Sequence, residues 1–295
     1  MGYSDYSVNR TSKNSARTLS FMSQQPDQIF EQNRVGKMHE MMNPSGVKLR
    51  ESRDSEAHPN SIPIIMALDV TGSMGHIPLD LIRTGLPHIM NSIIAAGLPD
   101  PQILFLAVGD HKTDSAPLQI SQFESGDEDL DIWLKRVWLE GKGGGNGGES
   151  YPLAHWFANY CVETDAWDKR HQKGFLFTIG DERFHQTIDV NSLKHIMGNP
   201  ELGQIDSKQE IQDAAHKWNT YHLLPGAESD DSFRQWQDVL GERAMFLSSY
   251  KEIPETIKRI VVAESLKNSS ATIDILEAGQ IVPKEETDEN DKKFL

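Results

Sequence analysis

A doubly wound α/β fold, with helices on both faces of a mostly parallel central sheet, is predicted by three features of the sequence. Short, almost uniformly apolar runs at 63–69 (PIIMALD), 102–109 (QILFLAVG) and 174–180 (GFLFTIG) read as strands buried on both faces. Segments of helical periodicity separate them. Each run also passes straight into a loop carrying acids or hydroxyls, at the carboxyl edge where ligands of such sheets bind.

Residues 1–60 are rich in Ser, Asn, Gln, Arg and Met without a sustained period. They predict a polar N-terminal arm, partly helical or mobile, with one helix over 27–42 between Pro26 and the NPSG segment. The main domain is expected over 61–266. After its first strand a helix is predicted at 78–96, with Pro78 in the first turn and Gly97 at its end. The strand at 102–109 is followed by 116–123 (APLQISQF), whose alternation suggests an antiparallel edge strand. Helices at 128–139 and 151–163 precede the strand at 174–180. Helices at 190–197 and 207–218 lead to a strand at 219–224 (NTYHLL). A helix at 230–240 stops at Gly241 before a strand at 243–248 (RAMFLS), and a helix at 253–267, with Pro254 in its first turn, completes the domain. Residues 267–295 read as a charged C-terminal tail.

Composition narrows the function. Of 295 residues, 44 are acidic against 29 Lys plus Arg, a formal net charge of -15. That balance argues against non-specific nucleic-acid binding, which needs a basic face, and against attachment to anionic membranes. The lone cysteine, Cys161, lies in HWFANYCVE, so no intrachain disulfide forms and a buried structural thiol is expected. The N-terminus has no apolar signal core, and no stretch approaches the roughly 20 apolar residues that span a bilayer. A cytoplasmic protein is the expectation.

The chemistry is sought in the loops. In DVTGSMG, Asp69, Thr71 and Ser73 stand at alternate positions as the chain leaves the first strand, and Gly72 and Gly75 permit a sharp turn. Carboxylate and hydroxyl oxygens are hard ligands suited to Mg²⁺ or Mn²⁺. The plain alternative is a cap for the following helix, which leaves unexplained why DHKTD, EGKGGGNGGES (140–150) and DERFH also carry acids. A phosphate-binding loop fits poorly, since the lysine of GKGGGNGG comes too early and the loop ends in acid. A haloacid-dehalogenase-type phosphotransferase would need its general-acid aspartate where Thr71 stands. A softer metal site from Asp110, His111 and His185 is a minor alternative, because histidines in polar loops are usually just solvated.

The segment ALDVTGSM resembles the first part of the metal-ion-dependent adhesion site (MIDAS) of von Willebrand factor A (VWA) domains, Asp-x-Ser/Thr-x-Ser. The similarity spans about 61–266. LAVGDHKTD, GGGNGGES, DAWDK and FLFTIGDERFH further resemble the A domains found beside alpha-kinases and in related bacterial proteins. The resemblance implies a Rossmann-like fold and a Mg²⁺ or Mn²⁺ held by Asp69, Thr71, Ser73 and Asp181. Where the family has a threonine at a helix start, this chain offers Glu149 and Ser150. Glu149 is favoured, and Ser150 in its place would remove one negative charge. Asp110, His111 and Glu182 are implied as supporting or rim groups.

Such sites take a carboxylate from a protein partner, and the family is mostly non-catalytic. The resemblance therefore implies a metal-dependent interaction module, an adaptor whose partner is a MoxR-type AAA+ ATPase or a kinase. Two other functions remain open: a metal-dependent phosphotransferase or hydrolase using Asp69, and a scaffold protein in which the metal is a structural staple. The glycine-rich GKGGGNGG segment is flexible by composition and is expected to act as a gate.

Overall fold

The computed structural model describes residues 24–81, 85–98, 100–141, 147–199, 203–226 and 230–279. Six strands form the central sheet: β1 (Ile62–Asp69), β2 (Pro101–Val108), β3 (Leu118–Ile120), β4 (Gly174–Ile179), β5 (Trp218–Pro225) and β6 (Ala244–Leu247). Their order across the sheet is β6-β5-β4-β1-β2-β3. All neighbours are parallel except β2 and β3, so the expected antiparallel edge strand is present. β1 is flanked by β2 on one side and β4 on the other. The chain builds outward first one way and then the other, which leaves a crevice beyond the end of β1.

The apolar runs form strands because both faces of the sheet are covered. Ile64, Met66 and Leu68 of β1 pack with Ile103, Phe105, Phe175 and Phe177 on one face. Helices α1 (Leu86–Ala95), α2 (Asp127–Lys135) and α7 (Ile253–Gly279) cover that face. Ile65 and Ala67 pack with Leu104, Leu106 and Leu176 on the other. There α3 (Pro152–Tyr160), α4 (Val190–Met197), α5 (Ser207–Ala214) and α6 (Asp230–Leu240) close the second core. No described helix is long and apolar enough to cross a membrane.

Several elements depart from the sequence expectation for local reasons. The helix predicted at 78–96 is seen on either side of residues 82–84, which lie outside the described residues, as Ile77–Asp80 and α1. The helix predicted at 128–139 stops at Lys135, and the chain turns so that Trp138 N–H donates to Gln119 Oε1 on the edge strand. The helix predicted at 151–163 gives way at Val162–Thr164 to a short strand parallel to Arg50–Ser52, with the β-branched Val162 and Thr164 turned inward. The helix predicted at 27–42 is broken into Pro26–Ile29, Glu31–Val35 and a 3₁₀ turn, Glu40–Met42, with Gly36 in the left-handed region at φ 71°. At the other end, α7 continues to Gly279, into residues expected to be tail. Ile29, Phe30 and Met42 are fully buried in the first core, so this stretch of the expected arm is packed against the sheet. Cys161 is buried as expected, and burial pushes its thiol up to about 11.

Candidate metal centre

The residues singled out from the loops converge at the crevice beyond β1. Asp69 is the last residue of β1 and is fully buried. Its Oδ1 accepts hydrogen bonds from Thr71 N–H at 2.8 Å and Thr71 Oγ1–H at 2.6 Å. The Thr71 hydroxyl lies 3.2 Å from Ser73 Oγ, which donates to Asp181 Oδ1 at 3.0 Å. Asp69, Thr71, Ser73 and Asp181 thus form one chain of oxygens from the floor of the crevice to its rim. The capping alternative is not realised. Thr71 and His76 stand at the starts of the next two helical turns, and neither side chain caps them.

Glu149 comes from the loop before α3 and is bridged to Phe184 in the loop after β4. Its N–H donates to Arg183 O at 2.7 Å, and His185 N–H donates to Glu149 O at 3.1 Å, which pins residues 147–150 against the loop after β4. The Glu149 side chain is buried, and Oε2 has no hydrogen-bond partner among the described residues. Ser150, by contrast, is occupied. Its Oγ accepts from His111 N–H at 2.8 Å and lies 2.7 Å from His111 Nδ1. Asp110 is buried beside it, accepting from His185 Nε2 at 2.7 Å, Lys112 N–H at 3.0 Å and Thr113 Oγ1 at 3.1 Å. Glu182 is half-buried and turns back on the loop, where its Oε2 accepts from Arg183 N–H. The supposed gate falls partly on 142–146, outside the described residues.

Two residues that the sequence did not flag complete the floor. Tyr151 is fully buried and donates its hydroxyl to Asp69 Oδ2 at 2.6 Å. Gly180 follows β4 beside that pair. A Cβ there would overlap the Tyr151 hydroxyl and lie 2.9 Å from Asp69 Cβ, so the close approach requires glycine. Tyr151 directly precedes Pro152 at the head of an apolar helix and reads as plain core. Gly180 reads as the end of a strand. His185 enters the sequence reading as one ligand of a minor, softer metal site and otherwise as a solvated loop histidine. In the structure it is buried against Asp110.

Burial dominates the electrostatics. It pushes the Asp69 carboxyl up to about 7, against the hydrogen bonds from Thr71 and Tyr151, with Asp181 adding repulsion. Burial, followed by the charges of Asp69, Asp110, Asp114 and Glu182, pushes Glu149 up to about 9. Two buried carboxyls that repel one another, one with an oxygen unpartnered among the described residues, are costly as anions unless a cation offsets their charge. The all-oxygen donor set is of the hard kind that suits Mg²⁺ or Mn²⁺. The residues present therefore fit the divalent ion that the motif implies.

No protein-family model matches the chain. No curated protein matches it either. Solved structures with a similar chain path include the pilus adhesin SpaC from Lactobacillus rhamnosus GG, at 11% identity and a TM-score of 0.46, over 72% of this chain and 32% of the adhesin. BatB from Bacteroides thetaiotaomicron matches at 11% identity and a TM-score of 0.42, over 71% of this chain and 100% of that one. The SpRpn10 VWA domain matches at 8% identity and a TM-score of 0.41, over 63% and 87%. The chain thus spans about a third of the adhesin's length.

Proposed function

We propose that this chain is a divalent-cation-dependent protein-binding module of the VWA kind. Asp69, Thr71, Ser73, Glu149 and Asp181 hold Mg²⁺ or Mn²⁺, and a carboxylate of the partner completes the shell. The observation that carries this reading is the chain of contacts joining Asp69, Thr71, Ser73 and Asp181, with the buried Glu149 electrostatically coupled to Asp69 and its Oε2 unpartnered among the described residues. The bound ion supplies positive charge and open coordination positions to an incoming acid. The chain's own residues do the rest: Tyr151 and Thr71 orient the Asp69 carboxylate, and the Glu149–Arg183 and His185–Glu149 backbone bonds fix the facing loop.

Hydrolysis through Asp69 is the weaker reading. Thr71 stands where a phosphotransferase needs its general acid. The adaptor role in the cytoplasm, with a MoxR-type AAA+ ATPase or a kinase as partner, rests on the resemblance of the loop motifs.

Retention of such a partner on the immobilised chain tests the proposal, in Mg²⁺ and in EDTA, with circular dichroism as the control for folding. Binding in Mg²⁺ that is lost in EDTA and in Asp69→Asn, with the fold intact, supports it. Turnover of a phosphate ester that Asp69→Asn abolishes supports an enzyme instead. A fall in Tm on metal removal without any change in partner binding supports a structural staple.

A further inference from the structure

A second cluster of metal-ligating groups lies beside the oxygen cradle and shares no side chain with it. Asp110 and His111 follow the end of β2, and His185 lies in the loop after β4. One ligand atom from each lies within 4.8 Å of the other two. His185 Nε2 is 2.7 Å and His111 Nδ1 3.8 Å from the same oxygen, Asp110 Oδ1. Ligands about 2.0–2.1 Å from a tetrahedral ion stand roughly 3.3 Å apart, so shifts of about 0.5 Å bring these two separations to that value. All three side chains are more than nine-tenths buried. Both histidines also line a cavity of about 420 Å³, open to solvent, that continues past Arg183 and Gln186.

Two imidazoles and one carboxylate with an open side are the donors that borderline transition ions take, whereas Mg²⁺ and Ca²⁺ prefer oxygens alone. We propose that Asp110, His111 and His185 form a second metal site, for a divalent transition ion of the Zn²⁺ class, with its open coordination positions facing this cavity. The site stands whether or not the cradle binds Mg²⁺.

Without an ion the three groups are tied in hydrogen bonds, and this sets the cost of binding. The Asp110 carboxylate only accepts, so His185 carries its proton on Nε2. Lys112 Nζ, 3.1 Å from His185 Nδ1, only donates, so Nδ1 accepts. Binding through Nε2 moves that proton to Nδ1, where it faces the Lys112 ammonium. Lys112 is exposed and swings outward to relieve the contact. The Ser150 hydroxyl, 2.7 Å from His111 Nδ1, turns away in the same step. Lys112 therefore opposes the ion, and its removal tightens the site.

The test is titration of the metal-free full chain with Co²⁺ in excess Mg²⁺, followed by calorimetry and by visible absorption, which reports nitrogen-bound, low-coordinate Co²⁺. The expected result is one bound ion per chain, weakened more than about a hundredfold in His185→Gln and in His111→Gln, a loss beyond that of an outer-shell partner. Binding tightens in Lys112→Met and is unchanged in Asp69→Asn. Should a histidine variant fail to fold, the wild-type His111 and His185 ring signals decide, since bound Co²⁺ shifts and broadens them first. Absence of stoichiometric binding, binding that survives both histidine variants, or ring signals untouched by Co²⁺ would overturn the proposal. Loss of Co²⁺ in Asp69→Asn with retention in the histidine variants would overturn it too, by assigning the ion to the cradle. Failure of the cradle reading shows separately, as silence in a Mg²⁺ titration of the same protein.

Discussion

Asp69 and Glu149 are buried carboxyls whose protonated forms are favoured, up to about 7 and about 9 against ordinary values of 3.8 and 4.5. Between those limits the metal-free folded chain holds more protons than the unfolded chain. Its stability is therefore full below about pH 4 as far as these two groups are concerned, and falls as pH rises through 7 and then 9. A cation binds the ionised forms, so the gain in Tm from Mg²⁺ grows with pH over the same window. Melting curves with Mg²⁺ and with EDTA from pH 5 to about 9 measure this, and a Mg²⁺ effect that is flat with pH contradicts it. Gly180→Ala tests the floor of the site. Its Cβ has no room beside Tyr151 and Asp69, and overpacking of this kind costs about 1–3 kcal/mol. Denaturant unfolding should show that loss, together with weaker Mg²⁺ binding. That Asp69, Thr71, Ser73 and Asp181 stand at one edge of the sheet was legible because oxygens at the ends of buried strands stand out against apolar runs. Tyr151 and Gly180 were not, since a tyrosine at a helix start and a glycine after a strand have ordinary explanations until their contact across two elements is seen.

At the scale of elements, periodicity located the strands of the sheet and the start of each main helix, but lengths followed tertiary partners. Val162–Thr164 carries on from a helical period yet pairs with Arg50–Ser52, more than a hundred positions earlier in the chain, and no local pattern encodes that pairing. Trp138 leaves its expected helix for the amide of Gln119. Where a side chain caps its own helix, the local signal suffices. Asp189 accepts from Asn191 N–H and Ser192 N–H at the start of α4, whose limits match the sequence expectation at 190–197. Asp189→Ala should cost about 1 kcal/mol, the usual worth of such a cap. Thermal denaturation measures the loss, and Mg²⁺ affinity should stay at the wild-type value because Asp189 touches none of the cradle side chains. An unchanged Tm would mean that the cap contributes nothing to this helix.

For the whole molecule, the residues before β1 contribute to the core. Their polar texture suggested an arm, partly helical or mobile, and Ile29, Phe30 and Met42 of that stretch are buried in the first core. Three apolar anchors in a polar stretch are easily missed, because their partners lie in other parts of the chain. Phe30→Ala should destabilise the protein by about 3–5 kcal/mol, the cost of emptying a buried aromatic site. Chemical denaturation reads this directly, and a loss below about 1 kcal/mol would show that the segment is dispensable. The net charge of -15 also bears on function. A strongly acidic chain repels an acidic partner at long range, so a carboxylate-bridged complex depends on a cation held at the crevice.

That cation is the central claim, and calorimetric titration of the metal-free chain with Mg²⁺ tests it most directly. The account predicts one ion bound per chain at millimolar supply, with no binding in Asp69→Asn or Glu149→Gln of unchanged circular dichroism. A wild type that takes up neither Mg²⁺ nor Mn²⁺, or an Asp69→Asn variant that binds as the wild type does, would contradict it.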